Sequence, residues 1–304
     1  MSNTVFTSTL WHHLKDTLEE IVDDKTDGIE GGLVYKRWMK ERRMPDAYID
    51  DQEVGGPGLL SEKPEGGELS VGTMREGYSK RYIARTFGLR MMITEEAMED
   101  VKYQQVIKLG KRLKRAAWKT VEYDAASVPA RAWNPDYPGG DGQPLFSTAH
   151  TLPHGGTYSN TMATPMSPSV LALTIMDTAI RTLPGHDGLI EGYELKKVVC
   201  PVQQRHAWAR ILKSDKDPQA GNFAAINTAK SEMDVEVVPV KYWTNTTTNW
   251  FGITDAEGGP VWLWRRKIRS RTWYDNNNEV AYHSVTYRSD KGWTDARSAY
   301  GSEA

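Results

Sequence analysis

From Gly31 to Gly77 the chain offers little that could bury itself. The run "EVGGPGLLSEKPEGGELSVG", Glu53 to Gly72, is dominated by glycine, proline and charge. A segment of about fifty such residues is uncommon inside a compact domain. It either stays disordered as a linker or is held by something outside its own domain. The neighbouring segment narrows the choice. In "SKRYIARTFGLRMMIT", Arg81, Ile83, Arg85, Phe87, Leu89, Met91 and Ile93 alternate with Lys80, Tyr82, Ala84, Thr86, Gly88, Arg90 and Met92. Alternation of this length predicts one long strand, and the glycine-rich run then becomes the tip of a two-stranded arm.

Thr94 reads as a helix N-cap with Glu95 and Glu96 in the first turn, where the helix dipole favours negative charge. No proline interrupts the chain until Pro129, so one helix of roughly 30 residues, about 45 Å long, is expected. Its wheel gathers Met98, Val106, Leu109, Leu113, Ala116 and Ala117 on one side and Lys108, Lys111, Arg112, Arg115 and Lys119 on the adjoining side. Gly110 is its weak point, costing about 1 kcal/mol relative to Ala. Nearer the start, Leu10, Leu14, Leu18 and Ile21 recur at helical spacing, which suits a helix that binds a partner or packs on its own domain.

After Pro129 helices alternate with strands. Ser167 as N-cap with Pro168 opens a helix that stops before Pro184-Gly185; Tyr193–Val199 is a strand, Pro201 starts a helix, and Val235–Val240 and Trp250–Thr254 are strands. The run "VWLWRRKIRSRTWYDNNNEVAYHSVTYRSD" reads as a long hairpin turning at Asn276–Asn278. Its first strand puts Arg265, Lys267, Arg269 and Arg271 on one face, opposite Trp262, Trp264 and Ile268. Each basic stripe fits a solvated or salt-bridged face, or contact with nucleic acid or an acidic neighbour.

Charge and cysteine usage exclude several classes. A formal net charge of -2 and a pI near 6.4 create no global field for polyanions or membranes. The single cysteine, Cys200, rules out an intrachain disulfide and fits cytosolic synthesis. The N-terminus lacks the pattern of a signal peptide, and no run approaches the roughly 20 apolar residues of a membrane span.

The stretch "STAHTLPHGGTYSN", Ser147 to Asn160, carries histidines at i, i+4, as a catalytic zinc would use on a helix. Pro153 between them and Gly155-Gly156 after them argue against that helix, so the spacing loses its meaning. No G-x-S-x-G elbow, P-loop or dinucleotide fingerprint occurs. His186-Asp187, flanked by glycines, reads as a mobile loop tip. No catalytic residue, metal ligand or cofactor site is expected.

Three segments together resemble the major capsid proteins of tailed bacteriophages, in particular the Mu-like head-subunit branch of the common phage and herpesvirus capsid fold. They are "YSKRYIARTFGLRMMITEEAMEDVKY", "PLFSTAHTLPHGGTYSN", and "WFGITDAEGGPVWLWRRKIRSRTWYDNNN" with "VTYRSDKGWTDARSAYGS". The resemblance implies an α+β fold: an N-terminal arm (1–32), an extended two-stranded loop (33–91), a peripheral domain with spine helix and β-hairpin (92–145 and 256–292), and an axial α/β domain (146–255 and 293–304). "LPGHDGLIEG" would lie on an axial tip. It further implies a non-enzymatic subunit, assembled in a bacterial host's cytoplasm into an icosahedral virion shell of hexamers and pentamers around double-stranded DNA. Its implied partners are a separate scaffolding protein, a portal and a decoration protein, with no membrane. Glu62, Lys63, Glu65, Arg75 and Lys80 become candidates for subunit contact, and the two basic stripes for the interior or for intersubunit pairs. The rival readings are a nanocompartment shell around protein cargo and a metal-dependent hydrolase using His150 and His154.

Overall fold

The computed structural model describes residues 15–22, 32–56, 58–72, 75–94, 96, 103–153, 155–217 and 225–303. In chain order its strands are β1 (Lys40–Arg43), β2 (Tyr48–Gly55), β3 (Arg75–Ile83), β4 (Arg85–Thr94), β5 (His150–Thr151), β6 (Thr157–Tyr158), β7 (Leu195–Pro201), β8 (Glu236–Val240), β9 (Trp250–Thr254), β10 (Val261–Asp275), β11 (Val280–Gly292) and β12 (Ala299–Ser302). The α-helices are α1 (residues 15–22), α2 (Tyr35–Trp38), α3 (Tyr103–Ala130), α4 (Val170–Arg181), α5 (Arg205–Lys213) and α6 (Thr228–Glu232). The fold is α+β.

One four-stranded sheet runs β1-β10-β11-β4, a second runs β12-β9-β7-β8, and β2 pairs with β3 as a separate ribbon. The long hairpin forms where the sequence places it, β10 and β11 closing over residues 276–279. Helix α3 lies on one face of the first sheet: Leu113 packs with Val285, and Trp118 meets Trp264 edge-on at 6.3 Å. A core rich in tryptophan joins both sheets, with Trp118, Trp243, Trp262 and Trp264 packed against Val199, Val238 and Phe251. Each such side chain, taken fully out of water, stabilises by about 1.5–3 kcal/mol. A second core under α4 and α5 holds Leu173, Met176, Ile180, Trp208 and Trp250. Cys200 of β7 is buried there, and burial pushes its thiol up to about 12.

Several expectations are corrected. The chain from Gly31 to Gly77 is not uniform: Leu33, Val34, Tyr35, Trp38 and Met39 enter the main core and Met44 is fully buried. The alternating run from Lys80 to Ile93 is two strands, not one. Ile83 pairs with Tyr48 in the ribbon while Arg85 pairs with Ser289 in the sheet. The break falls at Ala84, whose N–H donates to Ala47 O at 3.0 Å; because the alternation continues through it, the sequence hides the change of sheet.

In α3 the buried side is rotated from the one read off the wheel. Leu109 is exposed, whereas Trp118 and even Lys114, at 2% exposure, are buried. The helix continues one residue past Pro129. The expected N-cap at Thr94 is instead the last residue of β4; Met98 and the intended first turn fall largely outside the described residues. Gly110 has a purpose: a Cβ there would stand 2.7 Å from Leu18 Cδ2, so the glycine lets α1 cross closely. Leu18 and Val22 thus pack α1 on its own chain, while Leu10 and Leu14 lie outside the described residues. The N-cap of α4 is Ser169, not Ser167; its hydroxyl accepts from Ala172 N at 2.9 Å. No helix among the described residues is long and apolar enough to cross a membrane.

Candidate functional site

The β2–β3 ribbon has a fastened root and an open tip. At the root, Tyr82 OH lies 2.9 Å from Thr294 Oγ1, which donates to Asp51 Oδ2 at 2.8 Å. Ile83 N donates to Asp290 Oδ2 at 2.7 Å, and Tyr78 OH lies 2.9 Å from Thr151 Oγ1. Deeper still, Glu53 reaches His186 Nε2 at 3.0 Å beside Arg297, whose guanidinium donates to Asp295 Oδ2 at 3.0 Å and to Pro184 O at 2.9 Å. Arg297 also lies over the Tyr158 ring, 4.9 Å from its centroid. Gly77 makes this approach possible, because a Cβ there would stand 2.5 Å from Glu53 Cβ.

Burial dominates the electrostatics of the cluster. It raises the Glu53 carboxyl above its ordinary range; the His186 ring N–H opposes that shift and Asp295 reinforces it. Glu53, His186 and Asp295 bring ligand atoms within 4.8 Å of one another, a spacing that could suit a cation. Arg297 already supplies the positive charge there, with Nη1 at 3.0 Å from Asp295 and 4.0 Å from Glu53, so a metal ion would meet a fixed guanidinium. His186 is therefore a buried fastening of the ribbon and not a mobile tip; the exposed part of the same loop runs from Gly188 to Gly192.

The tip, residues 56–72, is the opposite. Every described residue in it except Gly67 is exposed, including Leu60 at 98% and Val71 at 91%. Its hydrogen bonds among the described residues are internal, Ser61 Oγ to Ser70 Oγ at 2.6 Å and Gly67 N to Pro64 O at 3.0 Å. Glu62, Lys63 and Glu65 stand exposed on it. The side chain of Arg75 lies outside the described residues. Lys80 is turned inward, where its ammonium donates to Pro138 O and sits 5.9 Å from the Trp293 ring centroid; burial lowers its pKa. Its own chain therefore occupies Lys80.

His150 also departs from any catalytic reading. It is fully buried, with Nδ1 2.5 Å from Asp141 Oδ2 and Nε2 3.0 Å from Asn160 Oδ1. The Asn160 amide is fixed by donation from Nδ2 to Leu145 O and Ala296 O. Both ring nitrogens are thus engaged, one by the Asp141 carboxylate and the other by the Asn160 amide oxygen, which leaves the buried ring no free nitrogen to offer a metal. The small hairpin β5–β6 turns through Gly155 and Gly156, with φ of 95° and 94°, while His154 lies outside the described residues. This stretch is a structural clamp between the start of the segment and the C-terminal residues.

The α3 stripe and the sheet ladder lie on different sides of the helix-sheet pair, and the bulges in β10 take Lys267 out of the ladder, so that it lines a depression with Glu41 and Trp264. Lys108, Lys111, Arg112, Arg115 and Lys119 are all exposed on α3. On the sheet, Lys267, Arg269 and Arg271 are exposed and Arg265 is half-buried, its guanidinium donating to Pro45 O. Two register shifts in β10, between Trp264 and Arg266 and between Arg266 and Arg269, add an unforeseen member. Arg266 pairs with Arg288 and Arg269 with Thr286; residues opposite one another share a face. Arg271 pairs with Ser284, and Ser284 in turn with Arg90. Arg90, Arg266 and Arg288 thus join the ladder across three strands. Only pairing register, absent from a single sequence, could have revealed them.

The family model described as phage capsid protein matches residues 77–301. Among solved structures the chain is similar to the capsid of a native GTA particle, with TM-score 0.53, 12% identity and coverage of 88% of this chain and 89% of that one. It is also similar to a protein of Mycobacterium phage Adephagia, with TM-score 0.52, 10% identity and 89% of each chain covered, and to one of Microbacterium phage Oxtober96, with TM-score 0.51, 9% identity and 88% and 90% covered. At these identities the structures show a shared fold. Comparison with curated protein sequences gives no match.

Proposed function

Since the chain belongs to the phage capsid protein family, a structural and non-enzymatic class of subunit, we propose that its shell role takes the form of a closed icosahedral head of hexamers and pentamers around double-stranded DNA. The observation that carries this reading is the tip at 56–72, whose described residues are exposed apart from Gly67, on a ribbon that is fastened to the body at its root. Apolar groups such as Leu59, Leu60, Leu69 and Val71 gain stability from that position only when another molecule covers them. A neighbouring copy does so in a lattice, where many weak contacts add because each subunit has several neighbours. Glu62, Lys63 and Glu65 are the polar contacts of that tip.

The proposed division of labour assigns the ribbon to reaching a neighbour, the β1-β10-β11-β4 sheet with α3 to the peripheral domain, and the β12-β9-β7-β8 sheet with α4 and α5 to the axial domain. Assembly in the host cytoplasm with a scaffolding protein, a portal and a decoration protein completes the proposal; the Mu-like placement within the family rests on the sequence segments. The test is to replace residues 56–72 with a short turn. Electron microscopy and sedimentation should show a folded subunit that forms no closed shells. Normal particles from that variant would overturn the reading, and purified particles holding protein cargo instead of DNA would transfer it to a nanocompartment.

A further inference from the structure

One face of the first sheet carries arginines that nothing in the described chain neutralises. The register sets Arg90, Arg266, Arg269, Arg271 and Arg288 on the face turned away from α3. The face is identified by what lies behind it: Ile268, Val285 and Met91 pack with Leu113 of α3. Among the described residues no carboxylate comes within 4.0 Å of any of the five guanidinium groups. Carboxylates close this face at both ends, but each is occupied. Asp290 accepts from Ile83 N, and Asp275 accepts from Asn277 N and Asn278 Nδ2 in the hairpin turn.

The cations are placed close enough to oppose one another. Burial lowers the Arg266 pKa, and Arg269, Arg288 and Arg271 add to that shift by repulsion. The Nε atoms of Arg266 and Arg288 are buried without a hydrogen-bond partner. Such an arrangement is costly unless an anion completes it. Aromatic groups flank it: Trp273 stacks on Tyr282 at 5.4 Å, and Arg90 lies 5.0 Å from the Tyr282 ring centroid.

We propose that the open face of the β10–β11–β4 sheet binds a polyanion, the phosphodiester backbone of double-stranded DNA. The source of that DNA rests on the proposed shell role. Three observations favour it over other occupants and over the α3 stripe. Guanidinium groups present a planar fork matched to phosphate, whereas the α3 stripe is mostly lysine. The charges are held on rigid paired strands spaced about 4.8 Å apart, so phosphate contact needs little ordering. The exposed acidic segment of a second copy, Glu62, Glu65 and Glu68 with Lys63 among them, carries a net charge of only -2 (three carboxylates less one ammonium), too little to satisfy five arginines.

The experiment measures binding of a fluorescent DNA duplex to the full-length chain between 50 and 200 mM salt. Each phosphate contact contributes about 0.9 to the slope of log K against log salt. The double variant Arg269→Gln/Arg271→Gln should reduce the slope by about 2, and the lysine pair at the same positions should restore it. Lys111→Gln/Arg112→Gln on α3 should leave it unchanged. Arg90→Gln, a lone exposed position, should cost about 1 and serves if the double variant folds poorly. An unchanged slope in the sheet variants, or an equal fall in the α3 variant, would overturn the proposal. So would loss of shell formation in the sheet variants without any change in slope, since that result assigns the face to an acidic neighbour. Failure of the unaltered chain to form shells would count against the shell reading alone, whereas a slope change confined to the sheet variants would still support this face.

Discussion

The root and the tip of the β2–β3 ribbon belong to one hairpin yet solve opposite problems. The root buries Glu53, His186, Asp295 and Arg297 in mutual contact, and the tip, only a few residues away, leaves Leu60 and Val71 almost wholly in water. Buried ionic groups seldom add much stability, but removing one partner is severe because the others remain uncompensated. The difference teaches that the ribbon's direction is set within the subunit, while its stability at the far end depends on what it meets.

The sharpest challenge to that comparison is Arg297→Met. It strands two carboxylates at the root, and denaturant unfolding should show a loss of about 3–5 kcal/mol. A loss below about 1 kcal/mol would mean the cluster is not what fixes the root. Next is Gly77→Ala, whose methyl would overlap Glu53 Cβ; a loss of about 1–3 kcal/mol is expected. Gly56→Ala, with nothing within 4 Å of the added Cβ, should stay within about 0.5 kcal/mol. Equal effects at both glycines would erase the contrast.

A smaller effect concerns pH. Burial raises the folded-state pKa of Glu53 above its ordinary 4.5, so the folded root binds the proton more tightly than the unfolded chain does. The stability gained is full below the ordinary value and is lost as pH rises through the raised one. Thermal midpoints measured upward from pH 4.5 should therefore lose this contribution in the natural chain, and Glu53→Gln should flatten that part of the profile. An identical profile in the variant would contradict it. Smallest of all, Glu62→Lys with Glu65→Lys should move the unfolding midpoint of the isolated subunit by no more than about 0.5 kcal/mol in equivalent stability, yet impair assembly as seen by electron microscopy.

The same contrast explains what could be read in advance. The β10–β11 hairpin was legible because strict alternation surrounds an asparagine-rich turn, and the tip because Glu53–Gly72 lacks core residues. The root was not: Glu53, His186 and Arg297 come from distant segments whose meeting depends on tertiary packing. Leu109 leaves the expected apolar side of α3, and α1 crosses that helix at Gly110, a contact that no helical wheel contains. Arg266 joins its neighbours through strand bulges, which a strict two-residue period cannot register.

Cys200 lies near the end of β7, sealed beneath α4 and α5, with a thiol that stays protonated at neutral pH. Because the thiolate is the reactive form, alkylating probes should ignore an intact subunit and label it only when that sheet comes apart. The molecule thus carries its own chemical sentinel: the rate of thiol labelling would time the opening of the second core without any added cysteine or dye.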